Sequence, residues 1–160
     1  MGFPVGSTVI HARHGLGQIV QIEENLINGQ KTACYVVTAG NMTIWVPIES
    51  EAGQCSLRMP ASKSDFENLF KILRSPYEPL PEDRKERKTY LLAQLTDGSI
   101  TSLCYLIRDL SGQGQKKKLS DDDRAILERA QNALLSEWTF SLSEPINVAR
   151  KRMTELLQTH

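Results

Sequence analysis

Two stretches of the sequence carry residue types that could act on a partner, and neither has the pattern of a catalytic site. In Met42-Thr43-Ile44-Trp45-Val46-Pro47 a period-two alternation puts Met42, Ile44 and Val46 on one strand face and Trp45 on the other. If the aliphatic face is core, Trp45 stands beside Pro47, a residue tolerated mainly at sheet edges. An open edge with an aromatic anchor is suited to binding a protein by strand addition. The alternative packs Trp45 beneath the helical part of the chain. The second stretch, Arg84-Lys85-Glu86-Arg87-Lys88, sets four cations within about one and a half helical turns, where they can face the phosphates of a duplex without reading its sequence. Its plainer reading is a solvated face, partly neutralised by Glu82, Asp83 and Glu86. Lys116, Lys117 and Lys118 in a glycine-rich loop offer a second phosphate contact, opposed by Asp121, Asp122 and Asp123.

Signals for other chemistry are poor. His14-Gly15-Leu16-Gly17 lacks the third glycine, the following helix and the Gly-Lys-Ser/Thr that a phosphate-cradling loop needs. His11 and His14 could build a zinc site with Cys34 or Cys55, but zinc ligands normally come in tighter pairs. No GxSxG elbow occurs. The chain is therefore read as non-enzymatic, without metal or cofactor. An odd number of cysteines (Cys34, Cys55, Cys104) with no CxxC pair fits a reducing compartment rather than a disulfide scaffold. No apolar run approaches the ~18–20 residues of a membrane span, and the N-terminus lacks a charged segment followed by an apolar stretch. A cytoplasmic protein is expected.

The elements that must position these residues divide into two kinds. Thr8–His11, Gly17–Glu23, Ala33–Thr38 and Met42–Pro47 are short, rich in Val, Ile and Thr, and separated by glycine-bearing turns, as in a small antiparallel sheet. Asn28-Gly29 is the dipeptide best suited to a tight hairpin, and Gly40-Asn41 closes the next one. Residues 49–60 read as loop. From Ser64, a plausible N-cap, the apolar period lengthens to about 3.6. Phe66, Leu69, Phe70, Ile72 and Leu73 form a first stripe, ended by Ser75-Pro76. The stiff Pro76–Pro81 linker leads to a helix over 82–96, ended by Asp97-Gly98. Ile100, Leu103, Ile107 and Leu110 mark a third helix stopped by Gly112-Gln113-Gly114. Ser120 caps a fourth, with Leu127, Ala130, Leu134 and Trp138 as core positions. A last helix starts at Ser143-Glu144-Pro145, with Val148, Met153, Leu156 and Leu157 as its apolar face. The fold class is α+β, a β module over 1–58 followed by a compact all-α bundle of four to five helices over 62–160. With 160 residues and 24% charged, the chain has room for an ordinary core. Its zero net charge hides an asymmetry: residues 1–60 hold three Lys/Arg and four acids, while the remaining hundred hold 16 and 15.

The ordered set Phe3-Pro4-Val5-Gly6-Ser7-Thr8-Val9-Ile10-His11, His14-Gly15-Leu16-Gly17-Gln18-Ile19, Ile22-Glu23, Met42–Pro47 and Leu57-Arg58 resembles the CarD/CdnL family of bacterial transcription regulators. The resemblance continues at Ile107-Arg108-Asp109-Leu110 and Leu119-Ser120, covering nearly the whole chain. It implies a Tudor-like β module whose sheet edge pairs with the β subunit of RNA polymerase. It also implies a helical module touching promoter double-stranded DNA beside the upstream edge of the melting bubble, largely without sequence preference. Catalysis is not part of that picture. Some relatives dock through basic residues on the second and fourth strands, where this chain has Asn25 and Trp45; others use apolar residues. The apolar version assigns Val37, Thr43, Trp45 and Pro47 to the polymerase, and Arg84, Lys85, Arg87 and Lys88 to DNA. The tryptophan that relatives wedge into the minor groove falls on Arg84, and none lies between residues 46 and 137. A polymerase-binding adaptor without DNA contact is the alternative, with a monomer expected in either case.

Overall fold

The computed structural model describes residues 2–48 and 57–158 and divides into two compact units, Met1–Pro60 and Ala61–His160. The first is a five-stranded antiparallel sheet in the order β4-β3-β2-β1-β5. Its strands are β1 (Thr8–His11), β2 (Gly15–Ile27), β3 (Gln30–Ala39), β4 (Met42–Pro47) and β5 (Leu57–Arg58). β2 and β3 run beyond their expected ends because the turn between them is as short as a hairpin turn can be. Ile27 pairs with Gln30, while Asn28 (φ 53°) and Gly29 (φ 78°) occupy the positive-φ positions of a type I′ turn. Val20 is the extra residue of a β-bulge, where the register with β3 shifts between Ile19 and Gln21. The expected 49–60 loop is corrected at its end, since Leu57 is buried and β5 pairs with β1; residues 49–56 lie outside the described residues.

One face of this sheet is core. Val9, Ile19, Tyr35, Val37, Val46 and Leu57 cluster there, and Phe3 meets the Tyr35 ring edge-on at 5.8 Å. Tyr35, Val37 and Val46 share that face by register, with Tyr35 opposite Val46 and Val37 opposite Ile44.

The second unit contains α1 (Lys63–Arg74), α2 (Arg84–Thr96), α3 (Ile100–Lys116), α4 (Asp121–Leu142) and α5 (Ile146–Leu157). The cap of α1 is Ser62 rather than Ser64. Its hydroxyl accepts from Asp65 N–H while the Asp65 carboxylate accepts from Ser62 N–H, a reciprocal capping box. α2 starts at Arg84, after Asp83, whose carboxylate accepts from Glu86 N–H. Phe66, Phe70 and Trp138 pack ring on ring at the centre, with Phe70 and Trp138 centroids 4.8 Å apart. Val148 is corrected to an exposed position, because the buried stripe of α5 runs through Ala149, Met153 and Leu157.

The glycines of α3 are also corrected: they do not stop the helix, which continues to Lys116. A Cβ on Gly112 would lie 2.2 Å from Tyr77 ring atoms, so the missing side chain makes room for that ring. The Pro76–Pro81 segment is accordingly tied down inside this unit. Leu80 is buried, and Glu78 N–H donates to Asp109 Oδ1 at 3.0 Å. Buried Arg108 donates to the same carboxylate at 2.9 Å and to Ser75 Oγ at 2.8 Å. The Ile107-Arg108-Asp109-Leu110 motif thus joins α3 to the end of α1 and to the proline segment. A buried ion pair needs such additional partners to offset its desolvation.

Candidate functional site

Among the described residues β4 is an edge strand, and its hydrogen-bonding phase is set by Ile48 N–H donating to Ala33 O at 3.0 Å. In an antiparallel pair, residues that bond the neighbour alternate with residues that do not. Val46 and Ile44 therefore bond toward β3, while Trp45 and Thr43 direct their N–H and C=O groups at the open edge. Pro47 offers a carbonyl there and has no N–H to leave unpaired. The same three residues turn their side chains to the face opposite the core, where Thr43 faces Thr38, Trp45 faces Val36 and Pro47 faces Cys34.

Trp45 is 48% exposed. Its indole reaches across β3, and Nε1 donates to Glu23 Oε1 on β2. Glu23 Oε2 accepts from Gln21 Nε2 at 2.6 Å. Trp45 is thus a large apolar surface held in one orientation on a sheet edge, which lowers the ordering cost of binding. Val37 is not part of this surface. It is fully buried on the core face of β3, which is paired on both sides; Val36, one residue earlier, lies beside the indole. The expectation for Val37 fails because all four of Cys34, Tyr35, Val36 and Val37 are buried, so apolar type alone did not tell the faces apart.

The cations of α2 separate into two kinds. Arg87 is a structural residue: Nε donates to Asp123 Oδ2 at 3.0 Å, with 13% and 5% of the two side chains exposed. Its Nη1 also donates to Glu82 O at 3.2 Å and Pro81 O at 3.4 Å. Arg87 is therefore corrected from a phosphate-facing residue to one that fastens the start of α2 to the start of α4. Arg84, Lys85 and Lys88 are exposed. Asp122 Oδ2 lies 3.6 Å from Arg84 and 3.8 Å from Lys88, so one solvated carboxylate is shared between two cations. Such exposed pairs are worth little and exchange easily for another anion. Lys116 is helical rather than in a loop, its ammonium 5.4 Å from the Tyr77 ring centre.

The residues weighed for metal or nucleophilic chemistry lie elsewhere. His11 and His14 stack with centroids 4.9 Å apart, and His11 Nδ1 accepts from Arg13 N–H at 3.0 Å and His14 N–H at 3.2 Å. Among the described residues no group of three or more His, Cys, Asp or Glu is placed to hold a metal ion; Cys55 lies outside them. Burial pushes the Cys104 thiol up to about 12, with the nearby Glu137 charge adding to it. The Cys34 thiol is also raised, by burial and then by Glu23. Neither is a thiolate at neutral pH, which a nucleophilic cysteine requires. Among the described residues no helix is long and apolar enough to cross a membrane.

Comparison with known proteins follows the same division. Residues 3–53 match the CarD-like/TRCF RID domain, and residues 68–154 match the CarD C-terminal domain. The chain is 24% identical over 137 residues to a Bacillus subtilis (strain 168) protein named "Putative transcription factor YdeB", an alignment covering 84% of this chain and 89% of that protein. With a β unit and a helical unit each matched in order, the chain belongs to the CarD-like family of transcription regulators.

Proposed function

We propose that this protein regulates transcription initiation by docking on the β subunit of bacterial RNA polymerase through the β4 edge, and that the start of α2 then contacts promoter DNA. The observation that carries the docking half is the coincidence at Thr43, Trp45 and Pro47 of an open backbone edge with an exposed, pinned indole. Strand addition supplies main-chain hydrogen bonds, and the indole supplies the anchor. Arg84, Lys85 and Lys88 would meet phosphates beside the upstream edge of the bubble. They need little affinity of their own, because docking raises their local concentration at the DNA. The regulator would shift the closed-to-open equilibrium only by its differential affinity for the two states. Arg84 stands where relatives wedge a tryptophan, and a guanidinium enters a narrow minor groove without unstacking bases as an indole does.

A second reading, an adaptor that binds polymerase and leaves DNA alone, is favoured by Asp122 beside Arg84 and Lys88 and by the withdrawal of Arg87. Titration of the labelled chain onto polymerase with and without a promoter separates the readings. The DNA reading expects tighter, salt-sensitive binding with promoter that Arg84→Glu with Lys88→Glu removes. Binding indifferent to promoter and to those substitutions favours the adaptor. Absence of saturable binding to polymerase contradicts both.

A further inference from the structure

Glu23 is half-buried at the edge of the Trp45 indole, and its two oxygens already accept from Trp45 Nε1 and Gln21 Nε2. Both donors are neutral groups, so neither brings an opposite charge to the carboxylate. By register, the face away from the core carries Gln18, Gln21, Glu23 and Asn25 from β2, Thr32, Cys34, Val36 and Thr38 from β3, and Thr43, Trp45 and Pro47 from β4. Among the described residues of these three strands, Glu23 is the one formal charge on that face. Lys31 and Glu24 fall on the other side, opposite Leu26 and Ala33 respectively.

This arrangement has two consequences for a surface that covers the indole. Trp45 arrives with its only polar atom satisfied, so the partner needs no acceptor for it. The same covering takes Glu23 out of water, and a carboxylate desolvated without an opposite charge is strongly disfavoured. We infer that the partner strand seated along β4 carries a lysine or arginine that pairs with Glu23, making Glu23 the specificity-determining charge of this edge. A cation at that point also lies against the electron-rich face or rim of the indole, a second favourable contact. Glu23 thereby has two tasks, orienting the anchor and selecting a basic partner. The inference rests on the docking reading above and adds to it the sign of the charge the partner must bring.

The test uses the full chain and purified bacterial RNA polymerase, with affinity measured across a salt series. Glu23→Gln keeps an acceptor for the indole and removes the charge. It should weaken binding about tenfold or more, the scale of a charged hydrogen bond, and flatten the salt dependence. Glu23→Lys should weaken binding further, through like-charge repulsion. The indole N–H resonance of Trp45, assigned by comparison with Trp45→Phe, should stay near its wild-type position in Glu23→Gln and move in Glu23→Leu. The ring resonances of Tyr35, buried in the core of the same sheet, report that each variant remains folded. Wild-type binding that Glu23→Gln leaves unchanged in affinity and salt dependence overturns the inference while the docking reading stands. Failure of the wild type to bind polymerase overturns both.

Discussion

Arg87 and Trp45 show how the role of a single residue depends on partners far away in sequence. Arg87 sits in a run of cations, yet its guanidinium is committed to Asp123, 36 residues away. Arg87→Ala strands a carboxylate that is 5% exposed and should cost about 3 kcal/mol, read as a fall in thermal or denaturant midpoint. Arg84→Glu with Lys88→Glu, on exposed side chains, should shift stability by no more than ~1 kcal/mol. An equal loss in both variants would contradict the division of the cluster. The outward direction of Trp45 was legible because strand alternation needs only its neighbours, whereas Arg87 and Val37 were misassigned because their environments come from other elements. His11 offers a residue-scale pH signature. Burial, then His14 and Arg13, hold its imidazole below the ordinary 6.5. The unfolded chain therefore takes up the proton first, and stability present above about 6.5 declines as pH falls from there toward the lower folded value. A thermal scan of the protein from pH 7.5 to 5 should show that loss in the β-sheet transition, and His11→Gln should flatten it.

At the scale of elements, hairpin turns and the Ser120 cap were read well, and the other helix starts and ends less well. Asn28-Gly29 is a local signal and forms the turn it announces. The glycines of α3 were read as punctuation because glycine is a poor helix former, but the Tyr77 ring occupies the space that a side chain on Gly112 would fill. Gly112→Ala should therefore destabilise the helical unit by about 1–3 kcal/mol through overpacking. At Gly114 a Cβ would meet only the Leu119 side chain, with Cγ at 3.2 Å and Cδ1 at 3.3 Å. Gly114→Ala should fall near neutral, because a helix-propensity gain of up to ~1 kcal/mol offsets the small displacement of Leu119. Denaturant midpoints compare the two directly, and a Gly112→Ala variant as stable as the wild type would remove the packing role assigned to that position. The start of α1 differs by two residues because Ser62-x-x-Asp65 and Ser64-x-x-Glu67 both offer a capping box, and the chain closes the first.

For the whole molecule, sequence patterning was enough for a β unit followed by helices, and the resemblance of an ordered set of motifs pointed to the family that the domain matches show. It was not enough to show which surfaces remain open. That required the sheet order, which among the described residues leaves β4 unpaired on one side, and the ion pair with Asp123 that draws Arg87 inward. Neutral overall charge leaves little long-range attraction to nucleic acid, so any DNA contact must depend on docking first. The dependence can be read directly: in the absence of polymerase the chain should bind duplex DNA only weakly, and in its presence promoter affinity should rise. The most direct test of this account is the affinity of labelled protein for bacterial RNA polymerase, wild type against Trp45→Ala. The account predicts saturable binding that the substitution weakens by ~2 kcal/mol or more, the loss expected on removing an interface hot spot. Saturable binding unchanged by Trp45→Ala would contradict the β4 edge as the docking surface.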